Sequence, residues 1–300
     1  MSKTATISVV LPAYRAANTI ERAIRSALIQ THPPLEIVVV DDCSPDNTAE
    51  VVRGIADERV RLITVPKNMG AGSARNLGCS HARGDWLAFL DADDEWFPEK
   101  TAAQLAVVSG PSVVIVGCDA ILTGGDGRER RFFDDCPHHE GPDAWRSLLQ
   151  RNFLPTPTVM LRRSTFEAID GFDPNLVIGE DLDVWIRAAE RGEVAIAQQP
   201  LARIHWRADS LMRTSENGEL RFVLPMIRGH VKRLASRLSR SDGRGIIGQL
   251  SFDIGYRCLR AGNAKDALRL FIESGTRGYR PMKSLLNVMR SVTGIVVGRA

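Results

Sequence analysis

The sequence is poor in the features that mark secreted, zinc-stapled or membrane-embedded chains. Its five cysteines, Cys43, Cys79, Cys118, Cys136 and Cys258, are odd in number and include no Cys-x-x-Cys pair, so neither a disulfide framework nor a structural zinc is indicated. A reducing cytosol suits such thiols. No apolar run approaches the ~20 residues of a spanning helix, and Ser291 to Val297 is too short to cross a bilayer. Met1 to Thr6 lead straight into a strand-like stretch without the apolar h-region of a signal peptide. The expectation is a cytoplasmic chain, neither secreted by that route nor integral to a membrane. What is present, 44% hydrophobic and 25% charged residues over 300 positions, is ordinary globular composition, long enough for one large domain or two smaller ones.

The net charge of +3 hides unequal halves. Residues 216–300 carry 16 Lys and Arg against 6 Asp and Glu, net +10, which leaves −7 for residues 1–215. An acidic front and a basic back imply different partners for each.

The front half alternates strand and helix signals. Ile7 to Tyr14 reads as a buried strand stopped at Pro12, followed by a helix from about Thr19 to Gln30 with apolar Ile20, Ala23, Ile24, Ala27 and Leu28 on one face. Leu35 to Asp42 is a second, β-branched strand ending in acid, and Asp46-Asn47-Thr48 caps the next helix. Val60 to Val65, Gly72 to Arg83 and Leu87 to Leu90 continue as strand, helix and strand. That alternation predicts an α/β fold, a mostly parallel sheet covered on both faces. Ligands on such sheets gather at the carboxyl ends of the strands, where Pro12-Tyr14, Asp41-Asp42 and Asp91-Asp93 all fall.

The densest chemistry is Leu87-Ala88-Phe89-Leu90-Asp91-Ala92-Asp93-Asp94-Glu95-Trp96, an apolar strand running into four acids. Crowded, partly buried carboxylates are costly unless a cation or donors compensate them. Hard divalent ions take such oxygen ligands, with phosphate oxygens completing the shell. A solvated acidic loop is the plainer reading. Asp94 reads as the cap of a helix entered at Pro98. Gly70-Ala71-Gly72-Ser73-Ala74-Arg75 begins like a dinucleotide fingerprint, but Arg75 stands at its third glycine and it follows the third strand, so a dehydrogenase is not indicated. With Arg75 there, the turn offers a cation and amides to phosphate, or is simply a glycine-rich helix start.

These residues, read with further blocks, resemble a family 2 glycosyltransferase of the GT-A fold, of the inverting, bacterial surface-polysaccharide type. The resemblance rests on Val10 to Ala16, Ile24 to Thr31, Glu36 to Asp42 with Ser44, Asp46 and Thr48, Ala74 to Gly78, and Leu90 to Asp94. It continues through Gly171-Phe172-Asp173 and Glu180 to Arg187 to about residue 212, and leaves the last 85 or so residues uncovered. It implies a GT-A domain over 1–215 and a basic helical region over 216–300. The implied donor is a nucleotide-sugar, with UDP favoured; the implied acceptor is a saccharide or lipid-linked saccharide, with no nucleic acid among the partners. The implied cofactor is Mn2+ or Mg2+.

The resemblance also assigns roles. Asp91 and Asp93 become the D-x-D pair that holds the metal and the sugar nucleotide, and Asp42 the reader of the base, with Asp41 pointing the other way. Pro12 and Tyr14 pack on the base, although Tyr14 serves equally as core. Asp181 becomes the general base toward the acceptor hydroxyl, preferred to Glu180 because the family's base is usually the second acid of this pair; Glu180 then holds an acceptor hydroxyl. Plain helix capping would also explain acids at that helix start. His205, in the Arg203-Ile204-His205 segment ahead of Ser210, is a further metal or diphosphate ligand or a structural histidine. Cys136-Pro137-His138-His139 has metal-ligand residue types without a partner cluster and reads as an acceptor-side loop within Gly124 to Pro142.

In the back half, Leu220, Leu224, Ile227, Val231, Leu234 and Leu238 form an apolar stripe beside Arg221, Arg228, Lys232, Arg233 and Arg237. Such a helix either lies on an anionic membrane surface or packs against its own domain or a second subunit. Phe252 to Ala261 and Ala264 to Glu273 resemble one tetratricopeptide-like hairpin, too little for a solenoid. Two other functions fit part of the pattern: a sugar nucleotidyltransferase, whose Gly-, Arg- and Lys-rich loop after the first strand is missing at Leu11 to Tyr14, and a non-catalytic nucleotide-sugar-binding scaffold, which would not need intact Asp91, Asp93 and Asp181.

Overall fold

A computed structural model describes residues 5–205 and 218–297. Contacts divide them into two compact units, one within Met1–Leu148 and Asn152–Asp209, the other within Leu149–Arg151 and Ser210–Ala300.

The first unit begins with the expected alternation: β1 (Ile7–Ala13), α1 (Ile20–Leu28), β2 (Glu36–Asp41), α2 (Thr48–Arg53), β3 (Val60–Thr64), α3 (Ala71–His81) and β4 (Trp86–Phe89). There follow β5 (Glu95–Trp96), α4 (Lys100–Ala106), β6 (Val113–Thr123), β7 (Glu129–Arg131), α5 (Phe132–Asp135) and α6 (Ala144–Leu148). A 3-10 turn at Thr156–Thr158 leads to β8 (Met160–Arg162), α7 (Arg163–Ala168), α8 (Glu180–Ala189) and β9 (Glu193–His205). The strands form one sheet in the order β3-β2-β1-β4-β8-β6-β9-β5, with β7 paired to β6. From β3 to β4 every pairing is parallel, in register Val10↔Val38 and Val10↔Phe89. Beyond β4 the sheet is mixed: β8 runs antiparallel to β4 and β6, while β6 and β9 are parallel.

The apolar runs are continuous because both faces are covered. Ile7, Val9 and Leu11 pack in one core with Ile37, Val39 and the Ile20, Ala23, Ile24 and Ala27 stripe of α1. Val10 and Val40 face the other way, against Gly78 of α3. Beneath β4, Phe89 meets Phe172 edge-on at 5.7 Å and Trp185 at 5.4 Å between ring centroids. Aromatic pairs of this kind contribute roughly 0.5–1.5 kcal/mol each beyond area burial.

In the second unit, a π-helical turn at Glu219–Val223 opens into α9 (Leu224–Arg233), and α10 (Arg240–Arg260), α11 (Ala264–Thr276) and α12 (Pro281–Val297) follow. The stripe that the sequence offered to a membrane is turned inward: Leu224, Ile227 and Leu234 are buried, and Leu224 joins a core with Phe252, Ile254 and Phe271. α10 and α11 form the expected hairpin. Its turn holds Gly262 at φ +81°, and Asn263 caps α11 by accepting from the Asp266 amide.

Candidate active site

The end of β4 is the focus of the site. After Phe89 the Leu90 amide still donates to the Val10 carbonyl (3.1 Å), and the chain then turns, the Asp94 amide donating to the Asp91 carbonyl (3.1 Å). Arg22 of α1 donates to the Asp93 carbonyl oxygen at 2.7 Å and ties the turn to the sheet's other layer.

Two helices bring their first turns to this point, and each is entered through a glycine with positive φ, Gly70 (+86°) before α3 and Gly179 (+81°) before α8. Residues with a Cβ rarely adopt that conformation. A Cβ on Gly72 would lie 3.4 Å from Glu180 Cγ, so the two helix starts touch. Between them Arg75 is buried, donating from Nη2 to Asp91 Oδ1 (2.7 Å) and from Nη1 to Glu180 Oε1 (2.8 Å). Burial disfavours the charged guanidinium, but the Asp91 and Glu180 carboxylates outweigh it and hold Arg75 firmly protonated. Its Nε is buried without a hydrogen-bond partner. The sequence offered Arg75 to phosphate as a loop cation; instead its fork is engaged by two carboxylates that are 89 residues apart in the chain.

Asp181 is the second acid of α8's first turn. Its Oδ2 accepts from the Asn152 side-chain amide (2.9 Å) and the Thr156 hydroxyl (3.4 Å), and its Oδ1 from the Leu182 amide (2.7 Å). Burial pushes its pKa above the ordinary aspartate value, against the pull of the Leu182 amide, Arg75 and Asn152. A carboxylate so placed is a stronger base than a solvated one. Asn152 and Thr156 carry no periodic or motif signal in the Asn152-Phe153-Leu154-Pro155-Thr156 stretch; only their place in the fold identifies them.

The nucleotide-side candidates sit at neighbouring strand ends. Pro12 pairs with Val40 in the β1–β2 register, and Tyr14 is exposed, with the Arg15 guanidinium 5.2 Å from its ring centroid, so it is not core. Asp42 is buried. Its oxygens accept from the Met69 (2.7 Å) and Gly70 (2.9 Å) amides, which fixes the approach to α3 and leaves a lone pair on each oxygen for another donor. Asp41 turns elsewhere, accepting from the Ser44 amide at 3.3 Å.

One expectation is corrected. Asp94 does not cap the next helix, which starts at Lys100 behind Glu99; it is buried and accepts from the His205 amide at 2.9 Å. Burial, then the charges of Asp91 and Asp93, raise its pKa well above the ordinary range. The His205 ring nitrogen Nε2 is 2.9 Å from Glu95 Oε1. Trp206 to Ser210 lie outside the described residues. In the loop of Cys136 to His139, His138 stacks on Phe133 at 4.0 Å and Cys136 is buried with its thiol toward the Asn152 carbonyl, as parts of a packed loop. Buried Asp119, absent from the sequence candidates, anchors that loop through Arg131 (2.7 Å) and the Phe133 amide (2.9 Å).

Among the described residues no three His, Cys, Asp or Glu side chains converge as a metal cage. A hard cation does not require one: one or two carboxylates plus phosphate oxygens suffice. The turn gathers the oxygen donors of Asp91 and Asp93 at one strand end, a donor set that fits a divalent ion brought with a diphosphate.

With this geometry in hand, the chain can be set against known proteins. It is 42% identical over 137 residues to the succinoglycan biosynthesis protein ExoO of Rhizobium meliloti, covering 45% of this chain and 39% of that one. The chain thus spans about two fifths of that relative's length. The S. aureus TarS 1–349 structure in complex with UDP-GlcNAc superimposes with a TM-score of 0.70 at 18% identity, covering 91% of this chain and 80% of that 1–349 chain. The mannosyltransferase PcManGT from Pyrobaculum calidifontis, in complex with GDP-Man and Mn2+, gives 0.61 at 17%, covering 98% and 87%. These likenesses establish the shared GT-A fold. The family description "Glycosyl transferase family 2" matches residues 8–169, and the chain belongs to that family.

Proposed function

We propose that the chain is a metal-dependent inverting glycosyltransferase that moves a sugar from a nucleotide-sugar, a UDP-sugar in the first instance, to a hydroxyl of a saccharide or lipid-linked saccharide in surface-polysaccharide assembly. The observation that carries this reading is the bridge from Asp91 through Arg75 to Glu180, which sets an acidic, metal-suited turn beside a buried base.

Residues 1–215 do the chemistry. Pro12 and Tyr14 take the base between them, and Asp42 accepts from one of its N–H groups. Asp91 and Asp93 would hold Mn2+ or Mg2+, which offsets the negative charge gathering on the departing diphosphate. Asp181 accepts the proton of the acceptor hydroxyl while that oxygen bonds to the anomeric carbon. The bond from carbon to the diphosphate oxygen breaks on the opposite face, so the configuration inverts. Glu180, fixed by Arg75, holds a neighbouring acceptor hydroxyl, and Asn152 keeps Asp181 aimed. His205 acts on this site through its contacts to Glu95 and Asp94. A lipid-linked acceptor would place the enzyme at the inner face of the membrane.

The discriminating experiment is a panel of UDP-, GDP- and other nucleotide-sugars scored by thermal shift with and without Mn2+, since a ligand held only by the folded state raises its stability. A metal-dependent shift with one donor is expected. No shift with any donor, at concentrations that shift a known transferase, removes the proposal.

A further inference from the structure

The last helix of the second unit is built inside out. Along α12 the fully buried residues are polar, Ser284, Asn287 and Ser291, and Val288 is the half-buried apolar residue packed on the core of Phe252 and Phe271. The serines are also satisfied, Ser284 donating to the Tyr279 carbonyl (3.2 Å) and Ser291 to the Asn287 carbonyl (2.8 Å). The residues turned outward are apolar: Met282 is 77% exposed, Leu285 57% and Met289 62%, with Leu286 and Val292 beside them. Their spacing of three, one, three and three residues is a single continuous stripe. An amphipathic helix in a globular unit normally does the opposite, and so large an exposed apolar face marks an interaction surface.

Charge says what covers it. From Ser274 to Ala300 the sequence contains no Asp or Glu and five cations, Arg277, Arg280, Lys283, Arg290 and Arg299. Beside the stripe a cavity of about 480 Å³ is lined by Arg257, Arg280, Lys283 and Arg290, with Asp253 as its one carboxylate. Phe252, Tyr256 and Leu286 supply apolar wall. Arg257 is paired with Glu219, and Arg290 donates to Asn287 at 3.4 Å, so the cavity is organised rather than a loose fringe of lysines. A second copy fits poorly, because a two-fold contact across α12 would set these cations against their own images with Asp253 as the cavity's one carboxylate to answer them.

We infer that α12 is a docking helix for an anionic lipid surface: its Met and Leu stripe enters the acyl boundary, and Arg280, Lys283 and Arg290 beside it receive lipid phosphate groups. The helix is short of spanning and lies in the plane of the surface, as basic helices with a strong apolar face do. This assignment is independent of which sugar is transferred, and of whether any is.

Flotation of the full chain with vesicles tests it. Vesicles of phosphatidylcholine with phosphatidylglycerol should carry the protein at least about tenfold more strongly than phosphatidylcholine alone. Met282→Glu with Met289→Glu should abolish flotation. Lys283→Glu with Arg290→Glu should weaken it by about tenfold or more, while Lys265→Glu with Arg269→Glu, an equal charge change elsewhere in the unit, should leave it unchanged. Circular dichroism of each variant checks the fold. Wild type that ignores anionic vesicles overturns the inference. So does flotation that either α12 variant leaves as strong as in wild type, or a dimer in light scattering that the Met changes dissociate without any lipid binding.

Discussion

Asp91 and Glu180 share one buried guanidinium: Arg75 lies 2.7 Å from the first and 2.8 Å from the second, with 6% of its side chain exposed. Arg75→Met leaves two facing carboxylates without their cation, and breaking a buried pair in this way costs about 3–5 kcal/mol. Arg75→Lys keeps the charge but not the fork, so it should lose less stability while still losing most turnover. Urea unfolding of both variants, beside a transfer assay, separates the two effects. Equal stability of wild type and Arg75→Met would show that the bridge is not structural.

Asp93→Asn should abolish the Mn2+-dependent part of UDP binding and leave the metal-free part. Titration calorimetry with and without Mn2+ measures the difference. Unchanged affinity in Mn2+ would move the metal away from this turn.

Asp181→Asn should keep donor binding and reduce transfer by about 10²- to 10⁴-fold, the usual contribution of general base catalysis. In wild type the base must be ionised, so kcat/KM should fall as pH drops through the raised pKa of Asp181. Asn152→Leu removes a donor that favours the ionised form, and its acid limb should shift to higher pH. An unshifted profile would place the base elsewhere.

At the opposite end of the strands, Glu36 is buried under the Ser8 hydroxyl (2.8 Å), Arg61 (2.7 Å) and the Arg83 amide (2.7 Å). Burial alone would raise its pKa, but these donors together bring it below the ordinary value. A depressed carboxyl stabilises fully above the ordinary glutamate pKa of about 4.3, and its contribution is lost as pH falls through the depressed one. The stability gap between wild type and Glu36→Gln should therefore be largest near neutrality and shrink below about pH 4. Urea midpoints across that range check it.

Much of the fold was readable because Ile37 to Val40 and Val9 to Leu11 are β-branched or apolar without alternation, the mark of strands covered on both faces. β8 and β5 were not, since three residues at Met160 and two at Glu95 become strand only through their neighbours' hydrogen bonds. In the site, acids at strand and helix starts were visible as clusters. The partner of Arg75 was not, because Glu180 is 105 residues away, and no local pattern joins them. Asp94 was misplaced for the same reason: its contact with His205 is between a turn and a strand 111 residues on. The outward apolar face of α12 escaped notice because periodicity shows that a stripe exists, not which way it points.

Phe89 stands two residues before Asp91, and Trp185 one turn after Asp181, and their rings touch at 5.4 Å with Phe172 wedged against both. This packed ring cluster acts as a gauge block. It fixes the gap between the carboxylates at the strand end and those at the helix start, without touching a ligand itself. Trimming Phe89 to leucine would alter that gap while leaving every acid in place, so the tolerances of this site are machined in the core beneath it.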